Sequence, residues 1–333
     1  TSMTSGGGIS CQDETELFLE NVLIVSNYAE YNGGGVRIEE SIADFVSVII
    51  EGNIAGNSGS GLYVTEFSIF SGTDILIREN GMEMSHGAGF YCSVSEASLS
   101  SVNILGNTGY FGAGFFSAAC DLELNHCVIG SNHSIIEGSA ASIYSSNVIM
   151  NNVTIAANIS QAYGEAIDVT GNTNLTINNS IIWHPGDIEI SAEGYDDSPL
   201  TIEISYSDIE HLENGIELVD YCELHWYGIN TSSDPLFINS AESDFYLQSS
   251  SPCIDGGDPE SAVDPDGTIA DIGGLFYDQS LDCLLFGDVS DDGVIDILDI
   301  ILTVNCIIDG PYGCACVDMD DSGSINILDV MLI

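Results

Sequence analysis

Short stretches in which apolar and polar residues alternate, separated by turns rich in glycine and asparagine, run through the first half of the chain. The apolar pairs Val22/Ile24, Val48/Ile50, Ile75/Ile77, Val102/Ile104, Cys127/Ile129 and Val153/Ile155 each lead into the pattern Ile-x-x-Asn. The asparagines fall at Asn27, Asn53, Asn80, Asn107, Asn132 and Asn158. A period-2 apolar face of mostly β-branched residues predicts a half-buried strand. A second series keeps the same beat: a Gly turn followed by an apolar residue, as in Gly33-Gly34-Gly35-Val36 and Gly87-Ala88-Gly89-Phe90. Its third position recurs at 8, 35, 61, 89, 114, 140 and 166, a spacing of about 26 residues.

Two series in phase, with almost no helical periodicity, predict an all-β solenoid: a parallel β-helix of about 26 residues per coil. Each coil adds ~4.8 Å and hydrogen-bonds to the next. Both series are then structural. Asparagine tolerates a left-handed corner and can stack its amides, and glycine serves where side chains would collide.

The Gly-Gly-Gly-Ile-like and Ile-x-x-Asn repeats resemble right-handed parallel β-helix proteins of bacterial surfaces, in the manner of the polymorphic outer-membrane adhesins. The resemblance covers regular coils over about 5–185 and implies a fold rather than an activity. Tyr206-Ser207-Asp208-Ile209, Asp234-Pro235-Leu236-Phe237, Ser251-Pro252-Cys253-Ile254-Asp255 and Asp271-Ile272-Gly273-Gly274 are similar to the closing segment of secreted bacterial β-helix proteins. That similarity implies irregular coils and a C-terminal cap over about 186–280, completing a first domain of 1–280. The family places Ala where Cys253 stands here, and a Cys222–Cys253 disulfide stapling the cap is a further expectation that spacing alone does not decide. Asp264, Asp266 and Asp271 mimic a short calcium loop, but an Asp/Pro/Gly turn with self-capping carboxylates is the better reading.

Charge narrows the function. Only Arg37 and Arg78 are basic against 52 acidic residues, for a formal net charge of −50. Binding to nucleic acid or to an anionic membrane is excluded by repulsion. With no lysine, Schiff-base and phosphate-clamp chemistry go too. A chain 44% hydrophobic is nonetheless too apolar for disorder. Its self-repulsion predicts a cation-rich extracellular or cell-surface setting. Ten cysteines, scattered and without a zinc spacing, suit secretion and disulfide staples. No apolar run is long enough for membrane insertion. The first residue is Thr1 and no signal peptide is visible, which reads as a processed form or a fragment.

The most specific chemistry is a duplicated loop near the C-terminus. Asp288-x-Ser290-x-Asp292-Gly293 through Asp299, and Asp318-x-Asp320-x-Ser322-Gly323 through Asp329, both fit the twelve-residue EF-hand template. Calcium wants six to eight hard oxygens, and alternate residues of a tight loop point inward. Each loop leads into an amphipathic pattern, Ile295, Leu298, Ile301 and Leu302, then Ile325, Leu328 and Met331. Aspartate at position 12 and a repeat of about 30 residues make 284–333 resemble a type I dockerin, a small α-helical calcium module. The resemblance implies two calcium ions, one held by Asp288, Ser290, Asp292, the Val294 carbonyl and Asp299. The other is held by Asp318, Asp320, Ser322, the Ser324 carbonyl and Asp329. The partner-reading positions are apolar in both loops, Ile297-Leu298 and Ile327-Leu328, which favours a hydrophobic groove or the chain's own β-helix over an ordinary cohesin-like partner.

Catalysis finds little footing. Lyases on this fold use Lys or Arg against an anionic substrate, which this chain would repel. His86-Gly87 is similar to the His-Gly of polygalacturonases, but it falls in a Gly turn and its companion motif is absent. The six histidines lack metal spacing. Tyr110, Phe111, Phe115 and Phe116 offer either a sugar platform or the core and flank of a coil. The reading is therefore an extracellular structural or adhesive protein, favoured over an enzyme. It forms a homo-oligomer by head-to-tail contact in a filament or surface layer, with an uncapped first coil as template. The alternative is a glycan-binding or glycan-degrading β-helix, a glycosidase or lyase tethered by a dockerin–cohesin contact. Sequons at Asn132, Asn152, Asn158, Asn174, Asn178 and Asn230 allow glycosylation, though Asn132 and Asn158 already belong to the ladder.

Overall fold

The computed structural model describes residues 5–162, 164–195, 199–279, 287–290, 294–309, 317, 319 and 325–333. The chain divides into two compact units. One runs to Ala262 and includes Ile269–Phe276, and the other comprises Val263–Thr268 and Tyr277–Ile333.

The first unit is a parallel β-solenoid of about eight turns. One sheet stacks nine strands in chain order, Ile9–Cys11, Val36–Glu39, Leu62–Thr65, Phe90–Ser93, Phe115–Ala118, Ala141–Tyr144, Ile167–Thr170, Ile190–Glu193 and Ile216–Leu218. A second follows the path from Glu16–Glu20 through Ile42–Glu51, Ile69–Arg78, Glu96–Leu105, Asp121–Gly130 and Asn147–Ala156 to Asn174–Asn178, Leu200–Ser205 and Cys222–Tyr227. Register is unbroken where it can be followed, for example Val36, Leu62, Phe90, Phe115, Ala141, Ile167, Ile190 and Ile216 in one inward column. Every member of that column is buried.

The asparagine series forms the ladder the spacing predicts. Each Nδ2 donates to the Oδ1 one coil on, at 3.0–3.1 Å from Asn27 through Asn158. Each backbone N–H donates to that same oxygen at 2.9 Å. The second Nδ2 proton goes to an isoleucine carbonyl of the previous coil, as from Asn107 to Ile77 at 3.1 Å. All the amide's hydrogen-bonding groups are thereby used inside a dry core. The left-handed residue, however, is the one before each asparagine: Ser26, Gly52, Glu79, Gly106, Ser131 and Ala157 have φ between 53° and 62°. The asparagines hold the corner by hydrogen bonding, and their neighbour makes the bend. At the next ladder position His184 takes over, its Nδ1 lying 3.1 Å from the Asn158 carbonyl.

The Gly turns act through close approach. A Cβ on Gly89 would stand 2.6 Å from the Gly114 carbonyl oxygen and 2.8 Å from Ile104 Cγ2, so neighbouring coils could not stack at their present distance.

A second polar ladder escaped the sequence patterns. The N–H of Ser41 donates to Ser68 Oγ, Ser68 to Ser95, Cys120 to Ser146 and Ser146 to Thr173 Oγ1, at 3.1–3.3 Å. Cys120 breaks the series, and it bonds to Cys92 across the core, both sulfurs buried. Cys222 and Cys253 are both free thiols, so the expected Cys222–Cys253 staple is not formed. The Cys253 thiol instead donates to the buried Asp208 carboxylate at 3.4 Å. Closing a 28-residue separation constrains the unfolded chain, so the paired change Cys92→Val and Cys120→Ser is expected to lose about 3 kcal/mol. Guanidinium unfolding measures it, and the serine should rejoin the ladder.

The repeat signature fades near 185, but the strands stay in register through Cys222–Tyr227. The segment that follows runs back along the solenoid's flank. Phe237–Asn239 and Asp244–Leu247 pair antiparallel, and Phe245 is buried against Val128 and Ala156. Asn152 Nδ2 donates to the Asp271 carbonyl at 2.9 Å, and the Gly274 N–H to Thr154 Oγ1 at 2.9 Å.

In the second unit the described helices are α1, Ile297–Asp309, and α2, Ile327–Val330. They sit where the two amphipathic patterns begin, and the second is a single turn.

Candidate functional site

Of the ten expected calcium ligands, Asp288, Ser290, Val294, Asp299 and Asp329 fall among the described residues. Asp292, Asp318, Asp320, Ser322 and Ser324 lie outside them. The two position-12 carboxylates are fully buried and both accept from the N–H at position 9. Asp299 Oδ1 accepts from the Ser290 N–H at 2.9 Å, and Oδ2 from the Asp296 N–H at 2.7 Å. Asp329 accepts from the N–H groups of Met319 and Asn326, both at 2.8 Å. In both loops the position-9 side chain also accepts from the N–H at position 11, Leu298 to Asp296 at 2.7 Å and Leu328 to Asn326 at 2.9 Å. Asn326 and Asp329 together make a capping box at the start of α2.

Backbone donation, from Asp296 first, holds the Asp299 carboxyl below the usual range, so it stays ionised. Asp288 is nearly buried as well, and Ser290 Oγ lies 3.3 Å from its Oδ1. Two carboxylates and a hydroxyl gathered in one loop suit a hard divalent cation, and the described half of the first loop fits calcium. Around the loops the apolar residues face outward. Ile297, Leu298, Ile327, Leu328 and Met331 are all exposed.

The solenoid arranges its other candidates in columns. Arg37, Tyr63, Tyr91, Phe116, Ser142 and Asp168 share one outward row of the first sheet. Tyr63 stacks on Tyr91 at 4.8 Å and Tyr91 on Phe116 at 5.2 Å, so these ring faces are spent on one another rather than offered to a sugar. Phe115 is core, and His86 sits against Tyr110 and Phe111. Both arginines are engaged: Arg78 with Glu51 at 2.9 Å, and Arg37 with Glu39 and Gln12.

Further along the row, burial and then the charges of Glu137 and Glu165 push the Asp168 carboxyl up to about 7. Glu165 and Glu137 are raised as well, chiefly by burial. A carboxyl raised in the folded state holds its proton there while the unfolded chain has lost it. Stability from this site is thus full below the ordinary aspartate range and is lost between about pH 4 and pH 7. Asp168→Asn should therefore match the parent at pH 4 and exceed it by about 2 kcal/mol at pH 8, after discounting for partial exposure. Urea unfolding at the two pH values checks this.

Asp266 is a self-capping turn residue, its Oδ1 accepting from the N–H and hydroxyl of Thr268. Among the sequons, Asn132 and Asn158 are fully buried in the ladder and Asn152 is tied to Asp271, whereas Asn174 is exposed. One grouping had no mark in the sequence: Glu189, Glu210 and His211 converge across neighbouring coils. In this fold the return of each coil to the same corner brings residues 22 apart into contact.

The class these features define is the acidic parallel β-solenoid. No family model matches the chain, and no curated protein or solved structure matches it either.

Proposed function

We propose that this chain is an extracellular structural or adhesive protein, a right-handed β-solenoid whose C-terminal unit is ordered by calcium and docks on a second copy of the chain. The observation that carries the reading is the duplicated hydrogen-bond frame, in which the position-9 N–H donates to the carboxylates of Asp299 and Asp329 and the position-11 N–H to the position-9 side chain, so both loops set a buried carboxylate at position 12. The exposed Ile-Leu pairs beside it supply an apolar contact. On the solenoid, Ile42 and Ile69 stand side by side on the outer face of the second sheet, both about half exposed, with Phe67 exposed at the corner beside Ile69. A contact between two different patches of one chain is heterologous and propagates head to tail. Calcium also lowers the repulsion between subunits of charge −50. Right-handed coiling follows from the handedness rule for parallel crossovers.

Sedimentation velocity tests this. The chain should sediment as large species with millimolar calcium, return to monomer with EGTA, and remain monomeric in both when Ile297→Asp and Ile327→Asp are combined. A parent chain that is monomeric with calcium at high concentration contradicts the proposal.

A further inference from the structure

We propose that Glu189, Glu210 and His211 form a binding site for a divalent cation of the imidazole-and-carboxylate class, such as zinc or cobalt, separate from the C-terminal loops. The three side chains each bring a ligand atom within 4.8 Å of the others. Glu189 precedes the strand Ile190–Glu193 and is pinned by its N–H to the Gly215 carbonyl at 2.8 Å. Glu210 follows the strand Asp208–Ile209, its N–H donating to the Ile182 carbonyl at 3.1 Å. His211 opens the short helix Leu212–Gly215 on the same corner. The backbone of two neighbouring coils thus fixes these positions without any ion, which is the preorganisation a metal site requires.

Two observations separate this group from an ordinary surface ion pair. Glu189 is fully buried, and its Oε2 has no hydrogen-bond partner, although a buried carboxylate oxygen is costly when unpaired. Its Oε1 meets His211 Nδ1 at 2.7 Å, so a proton holds the place between a carboxylate and an imidazole that a cation takes in mixed nitrogen-and-oxygen sites. Glu210 Oε2 accepts from the His184 N–H at 3.0 Å, an outer contact that orients this ligand. Access comes from two sides. The His211 side chain is 40% exposed, and Glu210 lines a cleft of about 530 Å³ with Trp183, His184 and Asp234. Three protein ligands leave at least one coordination position for water or an anionic ligand.

Cobalt(II) is the probe, because its visible spectrum distinguishes nitrogen and oxygen ligands from thiolates. Equilibrium dialysis of the full chain in excess calcium should show one equivalent of bound cobalt, with d–d bands and no thiolate charge transfer. His211→Ala alters a part-exposed side chain and should weaken that binding at least tenfold, while its circular dichroism stays that of the parent. Glu210→Gln should weaken it as well. The proposal is overturned if no cobalt binds in excess calcium, if His211→Ala binds it as tightly as the parent, or if the bound ion shows thiolate bands.

Discussion

Replacing Asn107 by alanine is expected to destabilise the solenoid by about 4 kcal/mol, because one amide serves three coils at once. Its Oδ1 accepts from both the N–H and the Nδ2 of Asn80, and its Nδ2 donates to the Ile77 carbonyl and to Asn132 Oδ1. Truncation strands all of these groups in a core where Asn80, Asn107 and Asn132 are essentially inaccessible to water. Asn27→Ala is the control. Asn27 is partly exposed and accepts from no earlier asparagine in the ladder, so its loss should cost about 1 kcal/mol. Asn107→Asp keeps the acceptor but sets a charge against Asn132 Oδ1 and the Ile77 carbonyl, and should be as harmful as alanine. Guanidinium unfolding gives the ranking, and hydrogen exchange shows whether the damage is confined to neighbouring coils, as expected for a repeat stabilised by nearest-neighbour contacts. Equal costs at Asn27 and Asn107 would mean that the ladder is not the source of the stability.

Removing the position-12 carboxylates should have the other large effect. Asp299→Ala combined with Asp329→Ala is expected to weaken calcium binding about a hundredfold, since on the proposed reading each carboxylate is a ligand, and each also accepts from backbone N–H groups at both ends of its loop. With calcium at a hundred times its dissociation constant, bound ion adds about 2.7 kcal/mol to the folded state per site. The parent's second unit should therefore melt higher with calcium than with EGTA, and the double variant should melt alike in both. Asp296→Asn is the internal control, because asparagine already stands at that position in the second loop as Asn326, with the same contact to the N–H two residues on. It should leave calcium affinity within a few-fold of the parent. A calcium-dependent melting shift that survives in the double variant would remove the loops from the account.

Much of the solenoid was legible because its geometry imposes one residue type at one place in every coil. Where only asparagine can bridge two coils and a carbonyl, or only glycine lets two backbones close to within contact, the sequence must repeat, and the 26-residue beat shows it. The serine ladder obeys the same geometry but escaped notice, since threonine, serine or cysteine can each occupy the position and Cys120 interrupts it. The left-handed corner was assigned one residue late. Serine, glycine, glutamate and alanine all make that bend, so it leaves no consistent letter. The coils beyond 185 were harder to read because their core columns persist while the Gly and Asn signals do not.

The candidate sites divide along the same line. The proposed calcium ligands of each C-terminal loop lie within twelve consecutive residues, so spacing alone suggests them. The Glu189, Glu210 and His211 group could not, since its members meet only after the chain has completed a coil. Disulfide pairing failed for a related reason. Ten cysteines give no connectivity from spacing, and the bonded pair Cys92 and Cys120 is separated by one coil and one step in the stack.

The central claim is that calcium, acting through the C-terminal loops, joins copies of an acidic β-solenoid. Electron microscopy of the purified chain with millimolar calcium and again with EGTA tests it most directly. The account predicts filaments that form with calcium, show an axial repeat set by one subunit, and disperse when the ion is removed. Single dispersed particles in both conditions would contradict it.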